Sequence, residues 1–251
     1  MTFTDTHCHI HEASYEDNQG AYERALAAGV GRMIIVGTDE ASSQDAVLFA
    51  RAHDRAWATL GLHPHDATRG PSAVEELRRI LESSTEKIVA IGEVGLDYYY
   101  DNSPRDKQLV MLRAQIELAL EYSLPIVFHV REAFDDFWPL FDSYQGIRGV
   151  LHSFTDSIAN MQQAIDRELY IGVNGIATFA KDRQEIYAAI PPSSLIFETD
   201  APYLTPVPHR GTINEPAFIP LVAQHIANLQ SISLQELSRV TEANATHLFS
   251  I

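Results

Sequence analysis

Two histidines, His7 and His9, stand two residues apart in the stretch "FTDTHCH" (3–9). On an extended backbone, residues i and i+2 point to the same side. The two rings can therefore approach one object together while Cys8 turns away. Comparable residues recur at the ends of short apolar runs along the chain. His63 and His65 follow one in "GLHPH", and Glu93 ends another in "GEVGLD" with Asp97 just beyond. His129 precedes Arg131 in "FHVRE", His152 lies in "LHSF", and Asp200 lies in "FETD". Imidazole nitrogen and carboxylate oxygen are the donors that bind divalent ions. Taken singly, each histidine reads as a structural or surface residue, and each acid as a helix cap or the partner of a lysine. Their joint recurrence at one end of successive runs is the wrong place for core filling. Buried unpaired carboxylates cost on the order of several kcal/mol each, a cost that a cation removes.

His7, His9, Glu93, His129, His152 and Asp200 give more ligands than one tetrahedral ion uses while leaving a position for water. The set suits two divalent ions. His7, His9 and Asp200 would surround one, and His129 and His152 the other, with Glu93 as the shared carboxylate because it carries two oxygens. The corresponding chemistry is attack of metal-activated water on an electrophile. In favourable zinc sites the water pKa falls from about 16 toward roughly 7. Asp200 is the natural proton acceptor and orienting base, which makes Asp200 and Glu93 the expected catalytic pair. A nitrogen-rich site suits zinc, manganese, iron or nickel, whereas magnesium prefers oxygen ligands.

These residues need a scaffold that brings distant strand ends together. Strand-length apolar runs occur at 2–7, 31–37, 55–61, 87–93, 124–130, 147–153, 169–175 and 194–200. Helical stretches lie between and after them at 18–29, 42–54, 71–84, 105–122, 131–143, 156–167, 181–190 and 214–229, with a last helix near 233–247. In 105–122, Leu109, Leu112, Ile116 and Ala119 or Leu120 form a stripe at helix spacing, with Ser103 as its expected N-cap. Asn214 is the expected cap of the stretch that follows it. Continuous apolar strands alternating with helices predict a parallel sheet covered by helices. Eight such repeats in 251 residues predict an α/β fold of the (β/α)8 TIM-barrel type, spanning 1–251 as a single domain. An open doubly wound sheet would place a glycine-rich loop after the first strand, where "DTHCH" has no glycine. The strand ends of a barrel form one rim, where active sites sit.

Composition sets the outer bounds. Hydrophobic residues make up 45% and charged residues 21% of the chain, the balance of an ordinary globular domain. The single cysteine excludes an internal disulfide and a cysteine-rich zinc module, and it suits a reducing compartment. No signal-peptide pattern opens the chain, and the apolar runs "RMIIVG" and "LPIVF" are strand-sized rather than membrane-sized. The expectation is a cytoplasmic protein with no membrane association and no obligate protein partner. A net charge of −16 argues against broad, non-specific grip on a nucleic-acid backbone. Bound metal would reverse the field locally, so a nuclease cleft is compatible with that charge.

The motifs "DTHCH", "GLHPH", "IGEVGLDYY", "LPIVFHVREA", "LHSFT", "YIGVNGIATF", "IFETDAPYLTP" and "HRGTINEP" occur in the order seen in a known family. The chain resembles the TatD-type metal-dependent hydrolases, also described as TatD-related deoxyribonucleases, over essentially its full length. The resemblance implies a divalent-metal-dependent phosphodiesterase acting on DNA as a 3'-to-5' exonuclease that prefers single-stranded ends. It implies the same six metal ligands, with Mg2+ as the usual ion and Mn2+ or Zn2+ also seen. His63 and His65 would help line the substrate pocket, and Arg131 and Arg210 would contact phosphate, since a guanidinium fork binds phosphate bidentately. The bland alternative for Arg210 is an ion pair with Glu215 or another rim acid. Tyr98, Tyr99 and Tyr100 offer a ring on which a base could stack. The chain departs from the family pattern at Ser153 and Asp156 in the run after His152, at Lys181, which is displaced, and at Val130. Asp156 adds an acid near the rim. Because fold and ligands do not fix the bond that is broken, an amidase, lactonase or deaminase acting on a small molecule is the alternative enzyme. A non-catalytic metal-binding protein is the alternative outside enzymes.

Overall fold

The computed structural model describes residues 1–12, 15–100 and 102–251. Its strands are β1 (Phe3–Cys8), β2 (Val30–Val36), β3 (Ala56–Leu60), β4 (Ile88–Asp97), β5 (Ile126–Arg131), β6 (Gly149–Leu151), β7 (Tyr170–Val173) and β8 (Leu195–Phe197). The helices α1 (Asn18–Ala27), α2 (Glu40–Ala52), α3 (Pro71–Ser83), α4 (Arg105–Glu121) and α5 (Phe134–Phe141) follow the first five strands in turn. They are succeeded by α6 (Ile158–Asp166), α7 (Gln184–Ala189), α8 (Ile219–Leu229) and α9 (Leu234–Phe249). The eight strands belong to one sheet in chain order. The alternation is that of the (β/α)8 TIM-barrel class, and every strand-length run of the sequence contains or overlaps an observed strand. No described helix is long and apolar enough to cross a membrane. The residues fall into two compact units, Met1–Ile35 with Ser153–Ile251, and Val36–His152.

In the first unit the opening strand meets the closing one. The Asp200 amide donates to the His7 carbonyl at 2.8 Å, the His9 amide donates to the Ala201 carbonyl at 2.7 Å, and Cys8 bridges Ala201 in parallel. Thr6 adds a side-chain bond to the Phe197 carbonyl at 2.9 Å. Asp5, fully buried, accepts the Thr199 amide at 3.0 Å, the Thr199 hydroxyl at 2.5 Å and the His7 amide at 3.2 Å. Burial pushes the Asp5 carboxyl up to about 7 against these bonds. Cys8 is buried, and its thiol donates to the Ile34 carbonyl, as a packing residue would. Ser233 caps α9 by accepting the Glu236 amide at 3.1 Å, and the helix lays Leu237, Ala245, Leu248 and Phe249 against β1 and β8.

In the second unit β4 is buried along its whole length, so both of its faces must be apolar or paired. A bulge between Ile91 and Val94 interrupts its register with β5 at Glu93, the kind of irregularity that re-aims a side chain. A Cβ on Gly95 would run into the His129 carbonyl, so only glycine lets β4 lie this close to β5. The buried face of α4 includes Leu112, Ile116 and Ala119 of the expected stripe, while Leu109 and Leu120 are half-buried. It also contains two glutamines that the stripe does not reveal. Gln115 accepts the Leu62 amide at 2.7 Å and donates to the Leu62 carbonyl at 3.1 Å. Gln108 treats Asp97 in the same way, at 2.8 and 3.0 Å.

Several element boundaries differ from expectation for local reasons. Ser103 does not cap α4: its hydroxyl donates to the His65 carbonyl at 2.6 Å, and Pro104 takes the cap position. The expected helix at 131–143 begins only at Phe134, because β5 runs to Arg131 and Glu132 turns through a left-handed φ of 52°. Asn214 does not cap α8. Its amide group donates to the Thr199 and Tyr203 carbonyls at 2.8 and 2.5 Å, and a 3-10 turn, Pro216–Phe218, precedes the helix.

Replacing Gln115 by Leu would leave the buried Leu62 amide and carbonyl without these partners. A loss of about 1–3 kcal/mol of stability is expected, read as a lower urea midpoint with unchanged m-value. An unchanged midpoint would show that the bonds contribute nothing.

Candidate functional site

The strand ends deliver the predicted ligands in two groups, one in each unit. In the first unit His7 and His9 do share a side, with their Nε2 atoms 3.1 Å apart. Asp200 joins them from beyond β8, its Oδ1 3.6 Å from His7 Nε2 and 3.3 Å from His9 Nε2. To reach them the backbone at Asp200 adopts a left-handed φ of 57°, a conformation that a non-glycine residue holds at some cost. The ligand atoms of His7, His9 and Asp200 lie within 4.8 Å of one another, a spacing that could hold one metal ion.

In the second unit Glu93 is the focus. Its Oε1 lies 2.7 Å from His129 Nδ1, 3.3 Å from His152 Nε2 and 3.5 Å from His63 Nε2. His63, Glu93 and His129 form a further group compact enough for a metal ion. The resemblance implies a place for His63 in the substrate pocket; its ring also lies in a group that could hold a metal ion. Burial alone would push the Glu93 carboxyl up, but His152, His63 and His129 outweigh it and hold the group ionised. Burial lowers the pKa of His63, while Glu93 beside it pulls the other way.

Asp97 is the residue that the ligand reading missed. It is 1% exposed. One of its oxygens, Oδ2, lies 2.9 Å from His129 Nε2 and 3.2 Å from His65 Nε2. The other accepts the amides of Tyr99 and Tyr100, both at 3.0 Å. Burial opposes its ionisation, but the His129 hydrogen bond and the Tyr100 amide hold its carboxyl far below the usual range. His129 thus sits between two carboxylates. Burial disfavours its charge, yet Asp97 and Glu93 together raise its pKa above 6.5. The arrangement fits a metal ligand: a carboxylate behind an imidazole fixes ring orientation and increases basicity at the other nitrogen. His65 is held to Asp97 rather than to Glu93.

Glu198, on the first unit's side of the chain, is a second buried acid outside the predicted set. It accepts the Ser153 amide at 2.6 Å and the Asn174 side chain at 3.2 Å, tying the segments after β6 and β7 to the end of β8. No spacing rule points to it. Asp156 is taken up by the start of α6, accepting the Ser157 amide at 2.7 Å and the Asn160 amide group at 2.6 Å.

The two arginines differ in setting. Arg131 ends β5 and is exposed, with its guanidinium 3.9 Å above the Tyr99 ring. Arg210 donates to the Thr205 carbonyl at 2.7 Å and lies 3.8 Å over the Phe179 ring. Its alternative partner, Glu215, is instead held by Arg24 at 2.7 Å.

Residues 4–250 match the family described as TatD related DNase. The chain is 38% identical to the "uncharacterized metal-dependent hydrolase YabD" of Bacillus subtilis (strain 168), over 98% of each sequence. It is 37% identical to the "3'-5' ssDNA/RNA exonuclease TatD" of Salmonella typhimurium, over 94% of each. Among solved structures, that of YjjV, a TatD homologue from Escherichia coli K12, superposes with a TM-score of 0.93 at 29% identity, covering 99% of this chain and 98% of that one.

Two outcomes are expected of this geometry. Asp97→Asn should weaken Mn2+ binding by about 10- to 100-fold in calorimetry while the fold is retained; equal affinity would remove Asp97 from the site. A divalent ion must displace the proton that Glu93 and Asp97 stabilise on His129. Because that pKa is raised, Mn2+ affinity should begin to fall, as pH is lowered, at a pH above 6.5. A fall that sets in only below the ordinary histidine range would contradict the assignment.

Proposed function

The chain belongs to the TatD-related DNase family of metal-dependent hydrolases, and from that premise we propose that it cleaves phosphodiester bonds at single-stranded DNA 3' ends with a two-metal centre. The carrying observation is the pair of histidine–carboxylate groups, His7–His9–Asp200 and Glu93–His129–His152, at strand ends of a (β/α)8 chain. The first group would hold one divalent ion and the second group another. Residues 1–251 act as one hydrolase domain in this reading, and its setting is the cytoplasm.

Bound divalent ions supply Lewis acidity toward water and the phosphoryl group. The family suggests Mg2+; the nitrogen-rich donors also suit Mn2+ and Zn2+. The protein's own residues supply position and proton transfer. Asp200, half-buried and aimed at His7 and His9, accepts the proton of the attacking water. Asp97 fixes the ring of His129. His63 stands at Glu93 and His65 at Asp97, and both line the approach for substrate. Arg131 and Arg210 present guanidinium groups to the phosphates of the strand. The −16 charge makes this local metal and arginine charge essential, since the rest of the surface repels a polyanion.

The test is hydrolysis of a single-stranded oligodeoxynucleotide by metal-replete, chelated and reconstituted protein. Chelation should abolish turnover and added Mg2+ or Mn2+ should restore it. Glu93→Ala should retain the circular dichroism of the native fold and lose at least about 1,000-fold in kcat, and Asp200→Asn should lose about 100- to 10,000-fold. A metal-replete protein that hydrolyses lactones or acyl amides, and no DNA, RNA or phosphodiester, would overturn the nuclease reading in favour of the small-molecule one.

A further inference from the structure

The run Tyr98-Tyr99-Tyr100 follows directly on the Asp97 carboxylate that backs His129. Tyr98 is already engaged: its hydroxyl donates to Asp136 at 2.7 Å, and Arg105 covers its ring at 4.1 Å. Tyr99 and Tyr100 are different. They are 54% and 46% exposed, a large exposure for two neighbouring aromatic rings. Their backbone is nevertheless fixed, because both amides donate to one oxygen of Asp97. The rings meet edge to face at 4.8 Å, and Tyr100 rests its edge against His65 at 5.4 Å. Arg131 lies over both, 3.9 Å from the Tyr99 centroid and 4.9 Å from that of Tyr100. Among the described residues no acid pairs with the Arg131 guanidinium. Stacking leaves the edge of its planar fork, where the donors are, available. Beside Tyr100 opens a cavity of about 400 Å3, lined by Asp97, Tyr98, Tyr100, Ser103, Arg105 and Gln108. That volume is within the usual range for small-ligand pockets.

We propose that Tyr99, Tyr100 and Arg131 form a nucleotide subsite, in which the tyrosine rings receive a base of the single strand and the Arg131 fork receives the adjoining phosphate. The inference rests on the nuclease reading and adds to it the element that recognises the strand. Ring faces stack on any base, so the subsite favours unpaired over paired nucleotides without selecting a sequence. Stacking of Arg131 on the rings pre-orients its fork, which lowers the ordering cost of gripping a phosphate. Asp97 is the positioning residue common to both halves of the device. One oxygen sets the orientation of His129 and the other sets the two rings, so base binding and the metal-ligand cluster share one rigid support.

The experiment compares a single-stranded oligodeoxynucleotide with the same backbone made abasic at its last residues. Tyr99→Ala and Tyr100→Ala should each raise KM for the normal oligonucleotide by about 5- to 150-fold, and Tyr→Phe at either position should restore it. On the abasic substrate the same alanine variants should change KM less than about threefold. Arg131→Ala should raise KM on both substrates. Fluorescence anisotropy of a labelled oligothymidine on Glu93→Gln protein in Mg2+ gives a readout independent of turnover, and its Kd should weaken by the same factor when either tyrosine is also replaced by alanine. DNA hydrolysis with a KM indifferent to both tyrosines, or equal losses on normal and abasic strands, would overturn the subsite and leave the nuclease reading standing. Tyrosine-dependent oligonucleotide binding without hydrolysis would keep the subsite and overturn the nuclease. A protein that neither binds nor cleaves the strand would overturn both.

Discussion

A carboxylate withdrawn from water must be met by donors or by positive charge, and among the described residues four are so withdrawn. Asp5, Glu93, Asp97 and Glu198 are all essentially buried. They are answered in two ways. Asp5 meets amides and a hydroxyl, and Glu198 meets an amide and a side-chain carboxamide; both serve to tie strand ends together. Glu93 and Asp97 meet imidazoles. The consequence is visible in their ionisation. Asp5, met by amides and a hydroxyl, is pushed up to about 7 by burial, whereas Glu93 and Asp97 are held down although they are also buried. The same fold thus holds acids in two settings: struts met by amides, a hydroxyl and a carboxamide, and carboxylates met by imidazoles.

The sequence disclosed the histidine–carboxylate groups better than the struts. His7 and His9 were legible because a period of two is a direct geometric statement about a strand, and the structure puts their nitrogens 3.1 Å apart. Glu93, His129, His152 and Asp200 were legible because each closes an apolar run. Asp97 was noted beside Glu93 but given no role, for a physical reason: β4 looked finished at Glu93, while the bulge there lets the strand continue to Asp97 and buries it. Gln108 and Gln115 were hidden in a different way. On a helical wheel they read as polar positions beside a stripe, and only the tertiary partner, a strand-end amide that needs an acceptor, explains their burial.

Side-chain direction was the other thing that spacing could not carry. Arg131 belongs to a strand end rather than to the following helix, and it stacks on tyrosines. Arg210 does not take its alternative partner Glu215, because Arg24, far away in sequence, already occupies that acid with two nitrogens at 2.8 and 2.7 Å. His63 and His65, adjacent in motif and alike in type, go to different carboxylates. In each case the identity of the residue was readable and its partner was not, since partners come from elements that are distant along the chain.

The pairing of β1 with the segment after β8 has a bearing on biosynthesis. A ribosome releases the chain from its N-terminus, so every donor around Glu93 has been made once His152 is in place. The His7–His9 pair must wait for Asp200, nearly fifty residues later, before its carboxylate exists. During that interval the two imidazoles are attached to a strand whose final neighbour has not been synthesised. The two histidine–carboxylate groups are therefore completed at different moments, and the earlier one is the group centred on Glu93.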